Sequence, residues 1–138
     1  YTFMYNEVVA DKFGSGGGWH RDSAFTPNFK IIIYLNDVEQ DNGPFLYIKG
    51  SHKHSFYKQV KRKLGVPFSR TRFTEEEIAK LSSGNEIVEL TGKKGTAVIA
   101  ITNGLHSGKP VSKGSRFALT RYNFYRKVPD FLLEEIYK

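Results

Sequence analysis

Every apolar run in the chain is short. The longest uninterrupted stretches, such as Ile31 to Leu35, are the size of a strand, and none approaches the roughly 18 residues of a membrane span. Phe29-Lys30-Ile31-Ile32-Ile33-Tyr34-Leu35 lies between Pro27-Asn28 and Asn36-Asp37 and reads as a buried strand, with Thr96 to Ile101 as a second. Thr2 to Phe13 reads as a strand running into a flexible loop, Gly14 to Gly18. Phe45 to Ile48, Glu86 to Leu90 and Arg116 to Tyr125 complete the clearer cases, each next to turn residues. About eight short strands with turns between them favour an antiparallel sandwich or barrel, because a parallel α/β sheet needs helices between its strands.

The segment from Lys53 to Asn85 departs from this pattern. It carries a basic stretch, Lys58 to Arg72, and then the acidic trio Glu75-Glu76-Glu77. Its second half predicts a helix: Thr74 caps, Glu77 completes a capping box, Phe73 and Ile78 stand at staple spacing, and Gly84 follows the last turn. A further helix is expected from Asp130 onward, with Phe131, Leu132, Leu133 and Ile136 on its apolar side. The fold class is therefore mainly all-β, with a helical excursion around residues 53–85 and a C-terminal helix.

A chain of 138 residues with scattered prolines and glycines is expected to form one domain over residues 1–138. At that size it buries roughly 68% of the surface of its unfolded chain, enough for a core without staples. The absence of cysteine excludes disulfides and thiolate-ligated zinc or iron–sulfur sites. With no signal or membrane segment within the chain, a soluble cytoplasmic protein is expected. The first residue is Tyr1 rather than Met, so the chain is processed or an excerpt. The net charge of +7 raises the question of an anionic partner. The sequence carries no signal of oligomeric state.

Any metal site must come from His, Asp and Glu. His20 and Asp22 stand at i, i+2, which on an extended segment turns both side chains to one face. His106, in Gly104-Leu105-His106-Ser107-Gly108, could supply a third ligand from a distant strand. Two imidazoles and one carboxylate form the facial triad of non-heme Fe(II) oxygenases. The plainer reading is a solvated histidine and a capping aspartate. Arg116 bears on that choice, since a guanidinium at the start of an apolar strand needs an anion and suits a carboxylate held bidentately. Arg121 is its rival, and the odd separation puts the two on opposite faces of one strand. Trp19 reads as core packing, Phe25, Tyr34 and Tyr122 as candidate pocket walls, and His52 and His54 as structural or exposed.

In Trp19-His20-Arg21-Asp22, Tyr34-Leu35-Asn36-Asp37, Asn42-Gly43-Pro44-Phe45-Leu46, Gly50-Ser51-His52-Lys53, Gly95-Thr96-Ala97-Val98, His106-Ser107-Gly108 and Arg116-Phe117-Ala118-Leu119-Thr120, the chain resembles the phytanoyl-CoA dioxygenase-like branch of Fe(II)/2-oxoglutarate-dependent oxygenases. The resemblance implies a double-stranded β-helix, the two-sheet jelly roll. It implies His20, Asp22 and His106 as iron ligands and catalytic centre, and Arg116 as the residue that binds the far carboxylate of 2-oxoglutarate. Ser107, directly after His106, is the position from which a hydroxyl contact to the cosubstrate is carried over. Family members carry a longer N-terminal region, expected to be absent here.

The function implied is a dioxygenase that hydroxylates a small organic substrate with O2 while 2-oxoglutarate is decarboxylated to succinate. Asp22 favours hydroxylation, since halogenating relatives place a small residue at that position. The competing reading is a non-catalytic, basic jelly-roll module that holds another metal or associates with nucleic acid. Nucleic acid is disfavoured, because the aromatics among the charges, Phe56, Tyr57, Phe68 and Phe73, are sparse. The basic stretch reads as a solvated face, with a lid over an acidic substrate as the functional alternative.

Overall fold

A computed structural model of the chain describes residues 2–9, 17–24 and 27–124. The helix expected from Asp130, Phe25, Gly14 to Gly16, and the far ends of the first and last expected strands (Phe13 and Tyr125) lie outside them. In chain order the elements are β1 (Thr2–Val9), β2 (Trp19–His20), β3 (Asn28–Tyr34), β4 (Phe45–Ile48), α1 (His54–Leu64), β5 (Arg72–Phe73), α2 (Glu75–Ser82), β6 (Ile87–Leu90), β7 (Ala97–Ile101), β8 (His106–Gly108) and β9 (Ser115–Phe124). The strands form a four-stranded sheet, β1-β9-β3-β7, and a five-stranded sheet, β5-β2-β8-β4-β6. Their pairings are antiparallel. Between the sheets Ile32, Tyr34, Val98, Ala100 and Ala118 from one meet Phe45 from the other. This is the expected jelly roll.

The second core lies on the outside of the five-stranded sheet. Trp19, Ile48, Phe73 and Leu105 turn that way and meet Phe56 and Val60 of α1 and Ile78 and Leu81 of α2. Helix α2 starts as the sequence predicts: the Thr74 side chain accepts from the Glu77 N–H, and the Glu77 carboxylate accepts from the Thr74 N–H. Phe73 and Ile78 are both buried beside it.

The first part of the excursion is helical as well: α1 takes in the first half of the basic stretch, because Phe56, Val60 and Leu64 recur every fourth residue and dock, leaving Lys58, Lys61 and Arg62 outward. One expectation is corrected. The apolar strands β3 and β7 are not buried on both faces. In β7 only Val98 and Ala100 are buried, while Ile99 is 71% exposed, because in this antiparallel sheet alternate residues face away from the other sheet.

Candidate metal centre and its two chambers

Strand alternation sets the site. On β2, Trp19 enters the helical core, so His20 points into the interior between the sheets, and Leu105 and His106 divide in the same way. His20 and His106 are directly opposed across β2 and β8, and their ring centroids lie 4.3 Å apart. Asp22 follows β2 and is anchored by its N–H donating to the Thr102 carbonyl at 3.0 Å. Its Oδ1 lies 3.7 Å from His20 Nε2 and 3.5 Å from His106 Nε2. One ligand atom from each of the three falls within 4.8 Å of the others.

Both imidazoles are locked by the same device. His20 Nδ1 is 2.9 Å from the Gly18 carbonyl, and His106 Nδ1 is 2.9 Å from the Gly104 carbonyl. A carbonyl can only accept, so each Nδ1 carries the proton and each Nε2 keeps a lone pair turned toward Asp22. Buried polar atoms normally have partners. Among the described residues His106 Nε2 and Asp22 Oδ2 have none. Two lone-pair donors meeting without a proton between them is the pattern a cation completes, and backbone carbonyls on the far ring nitrogens are the usual support for such a ligand. The donor set, two imidazoles and one carboxylate, fits Fe(II).

The electrostatics agree. Burial, and then the neighbouring His106, lowers the His20 imidazole to about 4, so it is neutral at pH 7, as a ligand must be. Burial alone would raise the Asp22 carboxyl, but the Lys30 ammonium beside it helps to hold it well below the usual carboxylate range.

Lys30 is the residue that the sequence reading missed. It sits in mid-β3 and is 8% exposed, with Nζ 2.9 Å from Asp22 Oδ1 and 4.7 Å from the centroid of the Tyr122 ring. Its only signal in the sequence is parity: Lys30 shares the inward face of β3 with Ile32 and Tyr34.

The triad stands between two chambers. The inner one is lined by His20, His106, Tyr34, Phe45, Gly108 and Arg116 among others, and it shares Met4, His20, Lys30 and Tyr122 with the outer one. The outer one is a pocket of about 320 Å³ lined by His20, Asp22, Lys30, Arg72 and Tyr122 among others. Arg116, Ala118, Thr120 and Tyr122 of β9 all face inward. The Arg116 guanidinium donates to the Gly43 carbonyl, and burial lowers its pKa. A Cβ at Gly108 would come within 3.1 Å of Arg116 Nη2, so this glycine leaves the guanidinium its room. Arg121 takes the other face, opposite Phe3 of β1 and 5.9 Å from its ring centroid.

Ser107 does not join the group. Its register partner on β4 is Leu46, which packs against the helical core, and its hydroxyl donates to the Gly108 carbonyl at 3.2 Å. Strand alternation turns it away from His106 and Gly108, so it lines neither chamber. Tyr34 and Tyr122 are chamber walls, and Trp19 is core, with its Nε1–H donating to Glu75. His52 lies 3.3 Å from the Tyr47 hydroxyl, away from the triad.

The profile of the phytanoyl-CoA dioxygenase (PhyH) family matches residues 1–118. The chain belongs to the phytanoyl-CoA dioxygenase family. Fe(II) and 2-oxoglutarate are the cofactor and cosubstrate with which this family works. Solved structures with the same fold include AviO1 from Streptomyces viridochromogenes Tue57, at 18% identity and TM-score 0.63, over 94% of this chain and 52% of that one. Another is EctD from S. alaskensis with 2-oxoglutarate and 5-hydroxyectoine, at 25% identity and TM-score 0.56, over 88% of this chain and 42% of that one. A third is SnoK, a non-heme alpha-ketoglutarate-dependent carbocyclase from nogalamycin biosynthesis, at 14% identity and TM-score 0.63, over 98% of this chain and 55% of that one. This PhyH-family chain thus spans about half the length of the solved structures it resembles. No curated protein matches it. No helix among the described residues is long and apolar enough to cross a membrane.

Proposed function

We propose that the chain carries the catalytic centre of an Fe(II)- and 2-oxoglutarate-dependent dioxygenase that hydroxylates a small organic substrate. The observation that carries this reading is the pair of buried atoms without a partner among the described residues, His106 Nε2 and Asp22 Oδ2, beside a second imidazole locked in the same tautomer. In it His20, Asp22 and His106 hold iron. Arg116, at the far wall of the inner chamber, neutralises the distal carboxylate of 2-oxoglutarate through its planar fork. Iron, when bound, supplies the redox chemistry that couples O2 and the decarboxylation of 2-oxoglutarate to succinate with oxidation of a substrate C–H bond.

The chain's own residues supply the setting. Gly18 and Gly104 hold the imidazoles in the ligating tautomer. Lys30 keeps Asp22 charged and oriented. Tyr34 is committed, donating to the Leu90 carbonyl at 2.6 Å and accepting from the Phe45 N–H at 3.2 Å, so it serves as a fixed wall. Phe45 stacks near His106 with centroids 5.3 Å apart and forms an apolar wall of the inner chamber on that side. The test is succinate formation from 2-oxoglutarate in aerated Fe(II) solution, followed by proton NMR. Succinate from the parent and none from His106→Ala supports the reading, and equal yields from both contradict it.

A further inference from the structure

The outer chamber carries a cation, Arg72, that the triad does not need. β5 pairs with β2 so that Arg72 stands directly opposite His20, and residues opposed across antiparallel strands share a face. His106, His20 and Arg72 therefore form a row on the inner face of the five-stranded sheet. From the opposite sheet Lys30 points into the same pocket. Asp22 is the one acidic residue in that lining, against three cations, Arg21, Lys30 and Arg72. Arg21, whose guanidinium is engaged by the Arg70 and Phe68 carbonyls, is already committed elsewhere.

The donors are also incompletely used. Among the described residues the Arg72 side chain makes a single hydrogen bond, from Nη1 to the Gly17 carbonyl at 3.1 Å. The Lys30 ammonium has three N–H groups and meets one carboxylate oxygen and the face of Tyr122. A pocket of this size is within the range that holds small molecules, and its polar groups are those that fix an anion.

We propose that the outer chamber is the substrate pocket and that it selects an organic anion, a carboxylate or a phosphate ester, gripped between Arg72 and Lys30. This rests on the reading of the triad as a catalytic centre, and it names the class of substrate. The anionic head docks between Arg72 and Lys30, and Tyr122 and Met4 line the same pocket beside His20 and Asp22.

Isothermal titration of the metal-free protein with benzoate, phenyl phosphate and benzamide tests it, since the three share a ring and differ in charge. At least one anion should bind about tenfold more tightly than benzamide, the worth of one charge-assisted hydrogen bond. The stronger of the two anions identifies the head group. Arg72→Gln, an exposed position that puts little of the fold at risk, should bring the anion and the amide within about threefold of each other. Arg116→Gln should keep the preference. Equal binding of all three probes by the parent overturns the proposal, as does a preference lost in Arg116→Gln and kept in Arg72→Gln. Because the titration uses neither iron nor 2-oxoglutarate, absence of succinate formation would fall on the catalytic reading alone.

Discussion

The centre's chemistry depends on single atoms, and Asp22 is the most heavily used. Its Oδ1 faces His20, His106 and Lys30 together, while its Oδ2 is buried without a partner among the described residues. Asp22→Ala would remove a proposed ligand and also leave the Lys30 ammonium buried without its counter-charge, which costs roughly 3–5 kcal/mol when one side of a buried pair is removed. The double variant Asp22→Ala/Lys30→Met should recover most of that loss while still failing to bind Fe(II), as urea denaturation and metal titration on the two proteins would show. If the single variant is as stable as the parent, Lys30 is not held by Asp22.

A second consequence at this scale concerns pH. His20 titrates at about 4 in the fold against 6.5 in the unfolded chain. Above pH 6.5 it is neutral in both states and neither adds nor removes stability. As the pH falls from 6.5 to 4 the unfolded chain takes up a proton that the folded one refuses, so the metal-free protein loses stability across that window. Below 4 this loss levels off, while Asp22, depressed below its usual 3.8, begins to contribute a loss of its own. In His20→Asn the slope between pH 6.5 and 4 should flatten, and urea midpoints at several pH values measure it.

Elements show what the sequence made legible and where it misled. The site residues could be found because strand parity is simple: His20 and Asp22 two apart, and Arg116 five residues from Arg121, decide which face each takes before any contact is known. Helix α2 was equally readable, since Thr74, Glu77, Phe73 and Ile78 all mark the same start. Removing that signal in Thr74→Ala should cost about 1 kcal/mol in thermal or urea unfolding and leave metal binding alone. Helix α1 was legible only as part of the helical excursion around residues 53–85, because its charges are more conspicuous than its buried positions, and its N-cap Lys53 makes no side-chain cap bond. Lys30 was hidden for the opposite reason, as one cation inside an apolar run, with the Asp22 that explains it brought near only by the fold. The exposure of Ile99 and Ile101 was hidden too, because an apolar run reads the same whether one or both faces of its strand are covered.

At the scale of the whole molecule, the two sheets divide the work. The outside of the five-stranded sheet spends its alternate residues on a helical core, in which Leu81 is fully buried. Leu81→Ala should therefore cost about 2–5 kcal/mol in urea denaturation while sparing the triad's geometry. The inside of the same sheet presents His106, His20 and Arg72 in a row, and the four-stranded sheet answers with Lys30, Tyr122 and Arg116. Family membership supports a centre that works with iron and 2-oxoglutarate, and the proposals made above put Arg116 at its inner end and an anion-selective pocket at its outer end.

The most direct measurement is an anaerobic titration of the protein with Fe(II) and 2-oxoglutarate, watched for the weak visible charge-transfer band of the chelate, with Arg116→Gln and His106→Ala beside it. A band is expected in the parent, its loss in His106→Ala, and in Arg116→Gln a band that needs more 2-oxoglutarate, by about tenfold or more. A folded parent that gives no band, or a His106→Ala variant that gives the same one, would contradict this expectation.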